Sequence, residues 1–191
     1  MNGMVMAGLF VLAGCTGADT DRPSGEQAAF WESLKGLCGQ AFEGRVVETP
    51  STVDPERLRM HVRECGEDEI RIPFHVGDDH SRTWVVTRTD TGLRLKHDHR
   101  LRDGTPDASN TEYGGDARGP GSAWRQEFPA DEYSVGVEPA RASQFWYLEI
   151  QPGRTFVYGL LREATGLRYR YEFDLSETIA EPPPPWGSEA E

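Results

Sequence analysis

His97, Asp98 and His99 are the residues whose types and spacing come nearest to chemistry in this chain. In an extended strand, positions i and i+2 point to the same side. The two imidazoles would then lie side by side on the face that also carries Leu93 and Leu95. Neighbouring imidazoles can share one metal ion, and His61, His75, Asp103, Asp107 or Asp116 could supply a third ligand. A zinc site uses three or four protein ligands, so two at a common spacing fall short. The local alternation also puts His61 and His75 on the charged faces of their strands. A hydrogen-bonded histidine pair at a barrel rim is the preferred expectation. A metal-dependent enzyme, a hydrolase for instance, using His97 and His99 is the alternative.

A long Gly/Asp/Pro stretch, residues 102–122, follows that strand directly. Within it, Tyr113-Gly114-Gly115-Asp116 could offer backbone amides and a carboxylate to a ligand, as one wall of a site with His97 and His99. The glycine spacing and the missing lysine do not fit a phosphate loop or a dinucleotide fingerprint, and no cofactor is expected. The aromatic set Phe145, Trp146, Tyr147, Phe156, Tyr158, Tyr169, Tyr171 and Phe173 could line an apolar pocket or simply fill a core. The expected ligand-binding residues are therefore His97, His99, Tyr113, Asp116, Tyr169 and Tyr171. No serine–histidine–acid order is recognisable, and no catalytic residue is assigned.

The elements that must position these residues are mostly strands. Residues 24–40 read as a helix, with Ser24 as cap, Phe30, Leu34 and Leu37 at helical spacing, and Gly39 at the end. From Phe42 the period switches to two. Candidate strands run over 42–48, 58–63, 70–77, 83–89, 93–101, 123–128, 145–151, 155–162 and 167–175. Asp90-Thr91-Gly92, Pro152-Gly153 and Ala164-Thr165-Gly166 read as hairpin turns. Eight or nine strands in sequential hairpins make a meander, and closure removes exposed edges. The expected fold is mainly β: an antiparallel meander closing into an up-and-down β-barrel, with one N-terminal helix. It is similar in outline to the lipocalin-like superfamily. A two-sheet β-sandwich is the alternative.

The chain opens with an uncharged stretch, residues 1–14, holding a short apolar run over 4–12. That run is far below the ~20 residues of a membrane-spanning helix and suits an export signal. Leu12-Ala13-Gly14-Cys15 resembles the lipobox of bacterial lipoproteins. The resemblance implies cleavage before Cys15 and a membrane anchor through lipid, palmitate included, on its sulfur. It also implies a place in the cell envelope. Thr16 stands where an aspartate would favour inner-membrane retention, so outer-membrane sorting facing the periplasm is expected in a two-membrane organism.

Three cysteines are present, and with Cys15 lipidated the count closes on a Cys38–Cys65 disulfide. Residues 15–26 then form a flexible tether, 27–176 a single β-rich domain, and 177–191 a disordered proline-rich and acidic tail. The net charge of −12, from 32 acidic and 20 basic residues, argues against a nucleic-acid partner. The expected function is that of a cell-envelope lipoprotein with a non-catalytic barrel that binds a small apolar or amphipathic ligand or an envelope protein. A structural envelope-assembly factor is a further alternative.

Overall fold

A computed structural model describes residues 25–50 and 57–188 of the chain. The expected export signal, the lipobox with Cys15 and nearly all of the expected tether lie outside these residues. Helix α1 spans Gly25–Lys35. Strands follow as β1 (Ala41–Glu48), β2 (Leu58–His61), β3 (Glu64–Cys65), β4 (Glu69–Val76), β5 (Asp79–Thr89), β6 (Gly92–His99), β7 (Gly114–Asp116) and β8 (Arg125–Pro129). A short helix α2 (Glu132–Val137) and a 3-10 turn (Pro139–Ser143) lead into β9 (Gln144–Gln151), β10 (Thr155–Arg162) and β11 (Leu167–Asp174).

Every pairing is antiparallel, in the order β7-β6-β5-β4-β2-β1-β11-β10-β9-β8, with β3 added beside β4. The first and last long strands meet, with Gly44 opposite Phe173, so the meander curls round on itself. At the seam, Arg118 N donates to Glu127 O at 2.7 Å and Asp131 N to Gly114 O at 2.9 Å. The barrel is thus nearly closed. The described residues form eleven strands where eight or nine were expected. The additions are β3 and β7, two and three residues long, too short to leave a period-two signature.

Alternation decides the inside. Leu93, Leu95 and His97 of β6, Trp84 and Val86 of β5, Ile70, Ile72 and Phe74 of β4, and Phe156 and Tyr158 of β10 all face in and are buried. Helix α1 adds Phe30, Trp31 and Leu34 to the same cluster, and the turn after it adds Leu37. It sits at the barrel end formed by the start of β6: Gln27 packs on Gly92 and donates to Gly119 O at 2.8 Å, and the Arg88 guanidinium lies 5.7 Å from the Trp31 ring. Gly39, at φ +76°, ends the turn that follows the helix. Cys38 and Cys65 are bonded, joining that turn to β3.

One expectation is corrected here. Residues 177–188 of the tail expected to be disordered are docked on the sheet. Ile179 N donates to Ala41 O at 2.9 Å, Trp186 N donates to His80 O at 3.1 Å, and Pro182 and Pro185 are buried. Proline composition argued for a free end, but a pre-extended segment loses little entropy on docking against a sheet face.

Candidate functional site

The barrel end opposite α1 holds the histidine pair, and α2 and the 3-10 turn join β8 to β9 at this end: Ser134 Oγ donates to Gly114 O at 2.9 Å, and Arg141 lies over the Tyr113 ring. His97 and His99 face inward from the end of β6, directly opposite Trp84 and Arg82 of β5. They do not converge on one point. His97 Nε2 is 2.8 Å from the Tyr158 hydroxyl, and its Nδ1 is 3.0 Å from the Tyr113 carbonyl oxygen, which fixes Nδ1 as the protonated nitrogen. Tyr158 then donates to Nε2. His99 Nε2 is 2.9 Å from the Tyr113 hydroxyl, and its Nδ1 is 3.3 Å from Asn110 Nδ2. With all four ring nitrogens engaged, no third ligand joins them: among the described residues no group of three or more His, Cys, Asp or Glu could hold a metal.

Both imidazoles are neutral at physiological pH. Burial pushes His97 down to about 3, against an opposing hydrogen bond from the Tyr113 backbone. Burial likewise takes His99 down to about 4, helped by the Arg82 charge. Burial raises the Tyr113 phenol to about 12 and takes the Tyr158 phenol well above its ordinary value. Phenols this weakly acidic act as hydrogen-bond donors, and neutral histidines accept from them. The network orients groups and does not store a mobile proton.

Tyr113 comes from the long stretch after β6. Its ring stacks on His97 at 4.3 Å, and the Arg141 guanidinium lies 4.2 Å from the ring centroid. The 3-10 turn delivers Arg141, whose Nε meets Glu138 Oε2 at 3.1 Å. Arg141 is buried, and its Nη1 has no acceptor among the described residues. An unpaired guanidinium N–H at low exposure is costly unless something else completes it. Sequence reasoning missed Arg141, because an arginine in a six-residue polar link carries no signal of inward placement.

Of the other expected residues, Tyr171 faces in, half-buried, 5.4 Å from Phe74. Tyr169 lies next to it at 6.3 Å, nearer the lip. Asp116 stands apart: it points outward and pairs with Arg94 at 2.6 Å. The late aromatics divide by parity. Trp146, Phe156, Tyr158 and Phe173 fill the core, whereas Phe145 and Tyr147 lie outside under Arg118 and Arg125. Trp84 stacks on Tyr158 at 4.3 Å and on Phe74 at 4.8 Å, so the middle of the barrel is packed.

The paired glycines act through the backbone. A Cβ on Gly115 would stand 1.9 Å from Pro129 O, and one on Gly114 1.9 Å from Leu95 O. Only glycine lets β7 fit between β6 and β8 and hold Tyr113 over the histidines. Gly115→Ala is therefore expected to open the seam at a cost of about 1–3 kcal/mol. Urea unfolding reads the loss, and an unchanged midpoint would show that the seam does not need this close approach. No family model, curated protein or solved structure matches this chain.

Proposed function

We propose that this chain is a cell-envelope lipoprotein, anchored through lipid on Cys15, whose barrel is a non-catalytic module for a small amphipathic ligand. One observation carries the binding reading. At the end opposite α1, the inward-facing Val46, Val76, Tyr113, Leu160 and Tyr171 pack against the core yet keep solvent contact. A half-dry, partly aromatic ring of this kind suits the apolar part of a ligand. Arg141 Nη1 beside Tyr113, buried and without an acceptor among the described residues, suits an acceptor group of a ligand that inserts next to Tyr113. The packed middle favours a ligand held at the mouth over one deep inside. Neutral, fully engaged histidines favour recognition over hydrolysis.

The anchor is supported by Leu12-Ala13-Gly14-Cys15 and by the cysteine count. With Cys38 joined to Cys65, Cys15 is the one thiol of three left to take lipid. Titration with octanoate and octanol, followed by NMR, tests the binding site. Signals of Val46, Val76, Leu160 and Tyr171 are expected to move, while those of Leu95 and Val86 near α1 stay. Shifts spread over the outer face, or no shift with either compound at millimolar concentration, would end the binding reading. Mass spectrometry of the chain from its native envelope tests the anchor separately: an N-terminus other than an acylated Cys15 would remove it.

A further inference from the structure

Three histidines outside the mouth carry a second story. His61, His75 and His80 belong to the side of the sheet covered by the docked C-terminal segment. His61 and His75 alternate with inward-facing Met60, Phe74 and Val76, so their strands aim them outward. Outward side chains on a one-layer barrel wall should be wet, yet His75 is fully buried and His61 is 5 % exposed.

The C-terminal segment explains this. Glu181 meets Arg63 at 3.1 Å and His61 Nδ1 at 3.9 Å over β2 and its exit. Trp186 N reaches His80 O at 3.1 Å on β5. Strand β4 lies between β2 and β5, so the chain from Glu181 to Trp186 must cross the position of His75. Beyond it, the Arg102 guanidinium stands 5.3 Å from the Trp186 ring, and Gly187 lies against the Gly104 backbone. A residual gap of about 50 Å³ separates Pro185, Trp186, Gly187 and Ser188 from Pro73, Thr83 and Asp98 beneath.

Under this cover the imidazoles are badly placed to hold charge. The rings of His75 and His80 are 4.3 Å apart. Neither nitrogen of His75, nor Nε2 of His80, has a hydrogen-bond partner among the described residues. The charged groups facing them are Arg59, His61 and Arg63 from β2 and its exit, Asp78 and Asp79 from the β4–β5 turn, and Glu181 from the segment itself. Arg59 acts on both His75 and His80, against Asp79 for His75 and, for His80, against Asp78, Asp79 and a hydrogen bond to the Pro184 backbone of the segment itself.

We propose that residues 179–188 are an acid-released strap: docked over His61, His75 and His80 at neutral pH, and freed when these imidazoles take up protons and must reach water. Burial is the main cause that lowers all three histidines, His75 to about 3, so the docked form rejects protons that the undocked form accepts. The docked state is therefore fully favoured above the ordinary histidine value. It weakens as pH falls below about 6.5, by up to tenfold per pH unit for each histidine released. The strap is held by few contacts, so it should let go before the barrel does. Release would bare a basic, histidine-bearing face on β2, β4 and β5 without disturbing the mouth.

The full-length chain labelled with 5-fluorotryptophan tests this, with the Trp186 signal assigned by Trp186→Phe. From neutral pH towards pH 4.5, the Trp186 fluorine signal is expected to move to the position of an exposed indole while those of Trp84 and Trp146 stay. His75→Phe should move the Trp186 transition to lower pH by half a unit or more, because no hydrogen bond is lost with the imidazole. If that variant does not fold, His80→Gln should shift the transition in the same direction. A Trp186 signal that moves only together with Trp84 and Trp146 would overturn the proposal. So would one that ignores pH, or a midpoint unmoved by the histidine variants. Glu181→Gln separates the other acid route: an open strap at neutral pH in that variant would assign release to the Glu181–Arg63 pair and overturn the histidine mechanism.

Discussion

Between about pH 6.5 and pH 4.5 the barrel is expected to lose up to about 5 kcal/mol of stability through His97 and His99 alone. In the unfolded chain both residues protonate near the ordinary histidine value. In the folded barrel they stay neutral down to about 3 and about 4. The unfolded state thus binds more protons throughout this window, and stability falls as pH falls. The slope for two groups is about 2.7 kcal/mol per pH unit. It flattens only as pH passes the folded values. Against a typical stability of about 5–15 kcal/mol, this is enough to bring many domains near their acid midpoint. Urea unfolding at pH 7, 6, 5.5 and 5 measures the slope. His97→Phe should lower it by one histidine's share, up to about 1.4 kcal/mol per pH unit, even though the Tyr158 hydroxyl loses its acceptor and the variant is weaker at pH 7. A slope unchanged in that variant would show that His97 is not kept neutral by the fold.

Removing the Cys38–Cys65 bond, by Cys38→Ala with Cys65→Ala, is expected to cost about 3–4 kcal/mol. The bond closes a loop with a sequence separation of 27, and that loop contains β1, β2 and residues 51–56. Its main effect is on the unfolded chain, where it limits how far these segments separate. It also ties the turn after α1 to β3, where Gly39 N donates to Val62 O at 2.8 Å and Val62 N to Gln40 O at 3.0 Å. The plug is therefore held to the barrel twice, and losing the covalent tie should loosen α1 first. Calorimetry should show a melting temperature lower by roughly 10 °C. Hydrogen exchange should show faster exchange in α1 than in β9 and β10. Equal melting of the wild type with and without reductant, once reduction is verified, would remove the disulfide from the stability account.

The alternation of residues such as Leu167, Tyr169, Tyr171 and Phe173 made the strands readable, because each barrel strand has one dry side and a period of two. The strand over 155–162 coincides with β10, β5 begins four residues before the expected 83–89, and the others shift by a residue or two at their ends. Short elements were invisible. Strand β7 has three residues and exists because two glycines permit a backbone approach that no composition announces. The inward side of His97 and His99 was legible for the same reason of parity. Their partners were not, because Tyr113 arrives from 14 or more residues away along an irregular path and Tyr158 from 61 away.

By itself, the order of residues determined the class of fold, the number of long strands, the plug helix, the pairing of Cys38 with Cys65 and the faces on which the histidines stand. These follow from local periodicity and from cysteine parity, which act over a few residues or by simple count. Only the tertiary structure decided that the histidines lock onto tyrosines, that Arg141 enters the mouth, and that residues 179–188 lie across His75. Each of these joins residues distant in sequence, and each depends on which surfaces are left uncovered once the sheet has curled. Burial, and with it every histidine shift described above, is a property of that closed shape.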